Sequence, residues 1–336
     1  MLVVHPHWHA RRTGVTRHVE SVVPAYPPGT EARGLGKVLD PSVARIGWGE
    51  LWRRLRSGPV IWHAHRVNEL LVGLLLRLLG RRTRLVFTRH AAARPGAFTR
   101  LLAARADGVV SLTAEVATNL GLPSTVVGHG VDLSRFTPPT DRSAAWHRLG
   151  LGGSRGVGVI GRVREDKGQG DFVTAVAPLL PSHLQWRAVL VGLAKGANAA
   201  WAERLKAQTG GALWLVGDQP EVAPWYQGLS IVVQPSRSEG FSLVLLEALA
   251  SGCCVVAARL PHFSGLIEHG RTGFLVPVGD VAALREALEP LLREPERADR
   301  VGRNAAEEAR ARFGVEHEAR ALSELYRALL PPEKGR

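Results

Sequence analysis

Cysteine and methionine are scarce in this chain of 336 residues, which has two cysteines and one methionine. The two cysteines, Cys253 and Cys254, are adjacent in an apolar stretch. Neighbouring side chains of a strand point to opposite faces of the sheet, so the two thiols are poorly placed to bond to each other. The sequence therefore excludes a disulfide framework and a cysteine-ligated metal site, and it favours a reducing compartment such as the cytoplasm.

Long apolar runs are also lacking. The longest, LLVGLLL at Leu70–Leu76, ends at Arg77 and is much shorter than the roughly 18 apolar residues of a membrane-spanning helix. The first residues, MLVVHPHWHARR, lack a basic segment followed by an apolar run and a small-residue cleavage site. They predict a first strand and not a signal peptide.

Acidic residues are scarce in the first part of the chain. The net charge is +13, and residues 1–137 carry 19 Lys and Arg against 8 Asp and Glu, whereas residues 138–336 carry 24 against 22. This asymmetry indicates an anionic partner for the first part, such as an acidic glycolipid or membrane surface, although a drift of composition toward Arg explains part of it. We predict no nucleic-acid partner, because zinc-finger spacing, an aromatic RNA-binding stretch and a helix-turn-helix signal are all missing.

Short apolar stretches alternate with helical patterns, which predicts parallel, doubly wound sheets. The predicted strands are Leu2–His5, Val60–Ala64, Arg84–Thr88, Gly108–Ser111, Thr125–Val127, Gly156–Ile160, Trp186–Val191, Ala212–Val216, Ser230–Gln234, Cys253–Ala257 and Gly273–Val276. The predicted helices of the first part are Gly14–Ala25, Asn68–Leu79, Ala97–Ala104 and Ala114–Leu120. The Pro-bearing stretch FTPPTDRS, Phe136–Ser143, predicts a linker between two domains.

The most informative motif is QPSRSEGFSLVLLE, Gln234–Glu247. An apolar strand runs through a turn into a helix, and the first free N–H groups of a helix attract phosphate. Gly240 has no side chain to obstruct a ligand, Glu247 is placed to accept hydrogen bonds from a ribose, and Glu239 is placed to hold sugar hydroxyls. The motif predicts a sugar-nucleotide site, and the alternative is a buried strand and helix with two solvated acids.

A second motif, GRVREDKGQGDF at Gly161–Phe172, also joins a strand to a helix. Arg162 and Lys167 follow the strand, where ligands bind in open α/β sheets, and two cations there can clamp a diphosphate. Solvated surface charge is the alternative for either residue alone. The G-x-G-x-x-G pattern of Gly156, Gly158 and Gly161 is not interpreted as a nicotinamide fingerprint, because its first two glycines fall inside the apolar strand.

Taken together, these motifs resemble those of the family 4 retaining glycosyltransferases. The family's Arg–Lys pair corresponds to Arg162 and Lys167, and its E-x7-E signature to Glu239 and Glu247; HGVDLSRF and HGRTGFLVPVGD also match in order. The resemblance implies a GT-B α/β fold, in which two Rossmann-like doubly wound parallel-sheet domains enclose an interdomain cleft. In the N-terminal half, RRTGVTRHVESVVP, IWHAHRVNELLVGLLLR and LVFTRH are similar to the lipopolysaccharide core mannosyltransferases.

The resemblance implies a domain division and a set of site residues. Residues 1–137 are expected to bind the acceptor and residues 138–312 the nucleotide sugar, and a helix in 313–336 is expected to cross back to the first domain. The expected catalytic residues are Glu239, Arg162, Lys167 and His90. The expected donor-binding residues are Gly14, Asp218, Gln219, Gly240, Phe241, Ser242, Leu243 and Glu247. Arg11, Arg12 and Arg17 are candidate acceptor contacts, and the alternative interpretation is that they are solvated surface charges. For Gly14, the alternative to donor binding is an ordinary glycine in a turn between a strand and a helix.

Histidines follow several predicted strands, at His5, His63, His65, His90 and His129 among others, and clusters of histidine raise the question of a metal. The sequence has no D-x-D or H-E-x-x-H pattern, and GT-B enzymes need no metal for donor binding, so we expect neither a metal nor another cofactor. His90 is the histidine expected to contact the transferred sugar, and the other histidines are expected to be structural or to line the cleft.

The expected reaction is transfer of a hexose, with retention of configuration, to a lipopolysaccharide core or related glycan or glycolipid. The favoured hexose is mannose, with GDP-mannose as its donor. The enzyme is expected in the cytoplasm, with peripheral contact to the inner membrane face. Two alternatives stay open, a GT-B sugar-nucleotide epimerase and a glycosyltransferase for a small soluble acceptor. The sequence leaves the nucleobase, linkage, oligomeric state and a nucleophilic role for Glu239 undecided.

Overall fold

The computed structural model describes residues 1–9 and 13–330 of the chain. Two compact units are distinguished by their internal contacts: unit 1 comprises residues 1–130 together with 314–336, and unit 2 comprises residues 131–313. The linker expected at Phe136–Ser143 begins a few residues after this division. Among the described residues no helix combines the length and apolarity needed to cross a bilayer.

Unit 1 is built on a six-stranded parallel sheet with the order β2-β1-β3-β4-β5-β6. Its elements before the division are β1 Leu2–Pro6, α1 Gly14–Val22, β2 Glu31–Leu35, α2 Trp48–Ser57, β3 Val60–Ala64, α3 Val67–Leu78, β4 Thr83–Arg89, α4 Ala97–Ala103, β5 Gly108–Ser111, α5 Ala114–Leu120 and β6 Thr125–Val126. Strand β3 is buried throughout, as expected for a parallel strand covered on both faces.

Unit 2 repeats this architecture with a second six-stranded parallel sheet, β12-β11-β10-β7-β8-β9. Its elements are α6 Arg142–Arg148, β7 Arg155–Ile160, α7 Gln169–Val176, β8 Trp186–Val191, α8 Ala197–Ala207, β9 Leu213–Gly217, α9 Ala223–Gly228, β10 Leu229–Gln234, α10 Leu243–Ala250, β11 Cys254–Ala258, β12 Phe274–Val276, α11 Val281–Arg293 and α12 Pro295–Arg312. The neighbouring positions of β7 and β10 matter most, because each strand leads into one of the two motifs.

The last helix, α13 Val315–Leu329, belongs to unit 1. It packs against α1, and its buried Val315, Ala319, Leu322 and Tyr326 join the core on that side of the unit 1 sheet. Gly130 lies so close to this helix that an added Cβ would be 2.4 Å from the Cα of Val315. Glycine at position 130 therefore allows the chain to pass directly against the start of α13.

In unit 1 the sequence-based prediction omitted one strand, β2, and one helix, α2. Strand β2 reads EARGL, with charged residues at two of its five positions and a glycine at a third, because it is an edge strand. An edge strand needs no continuous apolar run, and its short polar sequence gives little periodic signal. Helix α2 buries only Leu51 and Leu55, so its pattern is dominated by exposed polar positions.

The two cysteines lie on opposite faces of the unit 2 sheet, as predicted. Cys253 is buried in the core that contains Trp146, whereas Cys254 is buried in the core that contains Phe172. Gly156 and Gly158 lie inside β7, where a Cβ at Gly156 would be 2.2 Å from the Trp146 ring. These glycines serve packing within the sheet.

Candidate active site

Strands β7 and β10 bring the two sequence motifs to one edge of the unit 2 sheet. After β7 the chain continues through Arg162 to a short 3₁₀ turn at Glu165–Lys167, and after β10 it continues to Glu239. Gly168 has a φ of +71°, and an added Cβ would lie 2.1 Å from the carbonyl oxygen of Pro235. The left-handed glycine thus allows the two loops to touch, which places Lys167 beside Glu239.

Glu239 is held by three donors at one oxygen. Its Oε1 accepts hydrogen bonds from Lys167 Nζ at 2.7 Å, Ser236 Oγ at 2.8 Å and Gln234 Nε2 at 3.0 Å. The Glu239 side chain is 11% exposed, so the carboxylate is fixed while part of it still faces solvent. Sequence reasoning missed Gln234 and Ser236, although the S-x-x-E spacing of Ser236 and Glu239 was a usable signal.

Arg162 is exposed, and its guanidinium makes no hydrogen bond or ion pair with any residue in the described ranges 1–9 and 13–330. Its backbone carbonyl accepts a hydrogen bond from Gln169 Nε2 at 3.0 Å, which holds the loop against the start of α7. The structure therefore brings Arg162 to the same strand edge as Lys167 with its five donors directed to solvent. An approaching anion meets this cation without displacing a carboxylate of the described structure.

Helix α10 begins at the end of the QPSRSEGFS motif. Ser242 is its N-cap, and the serine Oγ accepts a hydrogen bond from the Leu245 N–H at 3.2 Å. Gly240, Phe241 and Leu243 are partly exposed around this end. The first N–H groups of a helix have no partner within its own backbone and attract anions, so this end of α10 has a geometry in which an anion can bind.

Glu247 lies farther along α10 and is buried, with 4% exposure. Its Oε2 accepts a hydrogen bond from the Tyr226 hydroxyl at 2.7 Å. Tyr226 is itself fully buried, and its hydroxyl orients this carboxylate. No local pattern signalled this pair, because it joins α9 to α10 across the fold.

Asp218 and Gln219 follow β9, as predicted, but their side chains differ in setting. Asp218 is exposed. The Gln219 side chain donates to the Val216 carbonyl and accepts from Trp225 Nε1, both at 3.3 Å. Gln219 therefore shapes the loop through its side chain.

A shallow groove of about 470 Å³ also lies on unit 2, beside the loop that carries Lys167. Its lining residues are Glu165, Asp166, Gly168, Gly170, Asp171, Trp201 and Arg237. Arg237 is paired with Asp171, and its backbone N–H donates to Asp166. With three carboxylates and a neutralised arginine, the groove is unsuited to a diphosphate.

In unit 1, Gly14 begins α1, directly after the N-cap Thr13. An added Cβ at Gly14 would meet nothing within 4 Å, so packing inside the described structure does not require glycine there. Arg17 is partly exposed on the same helix. Arg11 and Arg12 lie outside the described residues.

The histidines predicted at strand ends come together inside unit 1. His90 is half-buried, and both of its ring nitrogens are hydrogen-bonded: Nε2 to His65 Nδ1 at 3.1 Å and Nδ1 to His129 Nε2 at 3.3 Å. Burial lowers the pKa of His5, His18 and His129 to about 3, and it holds the pKa of His63, His65 and His90 well below the usual value. The histidines are therefore neutral at physiological pH.

Two groups of buried side chains in unit 1 have the ligand types that a metal ion could use. One comprises His5, His63 and His65, and the other comprises His18, His129 and Glu318. The ring nitrogens of His5, His63 and His65 are also engaged with one another, with His90 or with hydroxyl groups. These mutual hydrogen bonds account for the packing of the cluster.

Comparison with known proteins agrees with this geometry. Residues 154–294 match the family described as glycosyl transferases group 1, a segment that includes both motifs. The chain is 37% identical over 339 residues to the lipopolysaccharide core biosynthesis mannosyltransferase LpcC of Rhizobium leguminosarum bv. viciae, with 98% of this chain and 96% of the relative covered. This chain belongs to the group 1 glycosyltransferase family. The glycosyltransferase is also 34% identical to the lipopolysaccharide core biosynthesis mannosyltransferase LpsB of Rhizobium meliloti, over 98% of this chain and 97% of that protein.

Solved structures place the glycosyltransferase in the GT-B fold, as predicted. HepE of Anabaena, crystallised with UDP-glucose, matches with a TM-score of 0.80 at 21% identity, covering 98% of this chain and 100% of that one. Sucrose-phosphate synthase of Thermosynechococcus elongatus matches with a TM-score of 0.76 at 21% identity, covering 98% of each chain. At these identities the likeness concerns the fold.

Proposed function

We propose that this glycosyltransferase transfers a hexose to a lipopolysaccharide core or related anionic glycan, with retention of configuration. The hexose that we favour is mannose, with GDP-mannose as its donor. The observation that carries the proposal is the contact of Lys167 with Glu239 at the edge where β7 and β10 end. A cation for the diphosphate and a carboxylate for the sugar stand side by side, as a nucleotide sugar requires. The names of the two Rhizobium relatives support mannose and the lipopolysaccharide core.

The cationic groups are proposed to stabilise the leaving nucleoside diphosphate. Arg162 presents a planar fork, Lys167 a point charge, and α10 its N-terminus. Positive charge that is already in place when negative charge develops usually contributes more to catalysis than any other single effect. With these groups supplying the positive charge, we propose that the donor needs no metal ion and no other cofactor.

The carboxylates are proposed to orient the donor. Glu239 is fixed by Lys167, Ser236 and Gln234, which suits it to accept hydrogen bonds from sugar hydroxyls. Glu247, held by Tyr226, is proposed to accept hydrogen bonds from the ribose diol. The acceptor proton is proposed to pass to the departing phosphate oxygen, so that the reaction uses no strong protein base.

Purified enzyme tests the proposal in a donor panel of GDP-mannose, UDP-glucose and UDP-N-acetylglucosamine with a truncated lipopolysaccharide core acceptor. Release of GDP with a mannosylated product, and an α linkage by NMR, are expected. Transfer from UDP sugars alone would change the donor, and a β linkage would overturn retention. Epimerised sugar nucleotide without transfer would favour the epimerase alternative, and loss of turnover in EDTA that Mg²⁺ restores would overturn metal independence.

Unit 1 also has a surface, which we call the α3–α4 surface, that is suited to contact with an acidic membrane. Its large exposed apolar residues are Leu71, Leu75, Leu78 and Leu79 in and after α3, and Phe98 and Leu101 on α4. Leu78 is 82% exposed and Phe98 59% exposed, and helices α3 and α4 contact each other. Side chains of this kind usually pack in a core, so their grouping indicates a partner that covers them.

Arginines border the α3–α4 surface. Arg77 donates to the carbonyl of Arg105 at 2.9 Å, and Arg105 donates to the carbonyl of Leu101 at 2.8 Å, which ties two guanidinium groups to its edge. From residue 66 to residue 107 the sequence contains nine arginines and two acidic residues, of which Glu69 is buried and Asp107 pairs with Arg77 and Arg84. We propose that this surface lies on anionic lipid at the inner face of the membrane, with apolar side chains inserted and arginines at the headgroups.

Vesicle co-sedimentation tests the membrane proposal. The wild-type protein is expected to bind vesicles with acidic lipid at low salt, and binding is expected to weaken at high salt because counterions screen the arginines. Leu75→Glu combined with Leu78→Glu should abolish binding, whereas the matched control Leu184→Glu, at an exposed leucine of unit 2, should leave it unchanged. Equal binding of wild type and the double variant would overturn the assignment of this surface.

A further inference from the structure

Imidazole rings in unit 1 form a continuous row of hydrogen bonds. His5 Nδ1 lies 3.0 Å from His65 Nε2, and His65 Nδ1 lies 3.1 Å from His90 Nε2. His90 Nδ1 lies 3.3 Å from His129 Nε2, and His129 Nδ1 lies 3.0 Å from Glu318 Oε1. Each hydrogen bond between rings joins the Nδ1 of one histidine to the Nε2 of the next, and the row ends on a carboxylate of α13. All the hydrogen bonds of the row therefore run in the same donor-to-acceptor direction.

The chemistry of neutral imidazole determines that direction. A neutral histidine has one N–H donor and one acceptor nitrogen. A Glu318 carboxylate accepts only, so His129 must donate from Nδ1 and accept at Nε2. The same rule then applies in turn to His90, His65 and His5, which all become Nδ1–H tautomers.

Glu318 itself is held by a second donor of fixed type. The backbone N–H of Gly130 donates to Glu318 Oε2 at 2.8 Å, and this group has no alternative tautomer. His18 Nδ1 lies 3.5 Å from Oε1. The fixed donor at Oε2 stabilises the ionised form, although burial raises the pKa of Glu318.

The other end of the row is consistent with this direction. His5 Nε2 is 3.1 Å from the Tyr26 hydroxyl, which is 2.8 Å from the Tyr326 hydroxyl. Tyr326 in turn is 2.6 Å from His63 Nδ1, and His63 Nε2 is 2.6 Å from Thr88 Oγ1. Hydrogen bonds can be donated in turn from Thr88 to His63, from His63 to Tyr326, from Tyr326 to Tyr26 and from Tyr26 to His5. In this order each group donates one hydrogen bond, and no two donors face each other.

We propose that Glu318 is a positioning residue, which through this row of hydrogen bonds fixes the tautomer and the orientation of His90. Both ring nitrogens of His90 are then used, so His90 contributes a fixed ring surface and not a transferable proton. The inference rests on the proposed function only for the contact of His90 with the bound sugar. The row itself lies wholly within unit 1 and is testable without substrate.

Glu318→Gln makes the proposal testable, because it should reverse the whole row. The amide oxygen must face the Gly130 N–H, since that donor is fixed, and the amide NH₂ must then face His129 Nδ1. His129 would become an acceptor at Nδ1 and a donor at Nε2. The reversal would pass to His90, His65 and His5, which would all become Nε2–H tautomers.

The experiment is two-bond ¹H–¹⁵N correlation NMR of the histidine rings at neutral pH. Signals are assigned with single His→Gln variants, and metal content is measured on the same samples. Wild type is expected to show Nδ1–H at His5, His65, His90 and His129, and Glu318→Gln is expected to convert these four to Nε2–H. The matched control Glu316→Gln, at an exposed glutamate of the same helix, should leave every tautomer unchanged.

Three results would overturn the proposal: an Nε2–H tautomer of His90 in wild type, unchanged tautomers in folded Glu318→Gln, or one bound metal ion per chain at the histidines. Should Glu318→Gln fail to fold, Tyr26→Phe tests the opposite end of the row. This variant removes the donor to His5 Nε2 but keeps the Glu318 anchor, so the Nδ1–H tautomers should persist. A glycosyltransferase assay that failed while these tautomers were found would count against the proposed function alone.

Discussion

Lys167 and Glu239 form a charge-assisted hydrogen bond of 2.7 Å, although 72 residues separate them in sequence. The bond joins the loops that follow two adjacent strands, β7 and β10. In the absence of donor the two charges neutralise each other, so an incoming diphosphate must share Lys167 with the carboxylate. The ion pair thus keeps the site organised before substrate arrives.

Lys167→Ala should lower kcat at saturating donor by about a hundredfold to a thousandfold, the range for removing one preorganised donor. Folding should change little, because the ammonium lies at a partly exposed edge and Glu239 keeps Ser236 and Gln234 as donors. Steady-state kinetics and thermal unfolding check this. Lys206→Ala, at an exposed position of α8, is the control, and unchanged kcat in Lys167→Ala would remove Lys167 from the diphosphate site.

Arg162→Ala should leave the free energy of unfolding within about 0.5 kcal/mol of wild type, since an exposed side chain without partners in the described structure is replaced. Turnover should fall, because the bidentate contact to the diphosphate is lost. Arg162→Lys should restore little of it, as an ammonium lacks the planar fork. Full activity of the lysine variant would show that charge alone is needed at this position.

Glu247→Ala should weaken binding of the nucleoside diphosphate by about 1–3 kcal/mol, the value of a hydrogen bond to a charged group. Titration calorimetry with GDP and UDP measures the change. Glu286→Ala, at an exposed glutamate of α11, provides the control. Affinity equal to wild type would exclude the ribose role of Glu247 and leave its bond to Tyr226 as a structural one.

Unit 1 should lose stability in mild acid. Burial lowers the pKa of His5, His18 and His129 from 6.5 to about 3 and that of His7 from 6.5 to about 4. The unfolded chain therefore binds more protons below pH 6.5, and each of these histidines removes about 1.4 kcal/mol of unfolding free energy per pH unit as the pH falls toward the folded value.

Buried carboxylates oppose this trend only in part. Burial raises the pKa of Glu69 from 4.5 to about 7, so Glu69 contributes stability at low pH that is lost as the pH rises between these values. Burial also raises the pKa of Glu318, while Tyr26 and Tyr326 stay neutral because burial raises the pKa of each hydroxyl. Hydrogen exchange of unit 1 peptides from pH 7 to pH 4 is the measurement, and protection that is constant over this range would contradict the prediction.

The positions of the charged residues in the two motifs could be predicted from the sequence, because their signals are local. Arg162, Lys167, Glu239 and Glu247 each stand at a strand end or in the following helix, where type and spacing carry the information. Their partners were harder to predict. Gln234 and Ser236 lie within the same motif, whereas Tyr226 reaches Glu247 only through the packing of two helices.

The histidines of unit 1 illustrate the same limit. Their positions after predicted strands were visible in the sequence, and the carboxyl ends of parallel strands meet at one edge. Their mutual bonding depended on Glu318 and Tyr326 from α13, about two hundred residues or more away in the chain. Pairing over such distances has no periodic signature in one sequence.

The burial of Cys253 and Cys254 on opposite faces of one sheet has a practical consequence. Both thiols belong to unit 2, and burial raises the pKa of each, so neither reacts readily with a maleimide while that unit is folded. The rate of thiol labelling therefore reports the opening of unit 2, and the ring signals of the buried histidines His5, His63, His65 and His129 report the state of unit 1. Each unit thus carries a natural chemical probe, so the state of each unit can be followed without engineered labels.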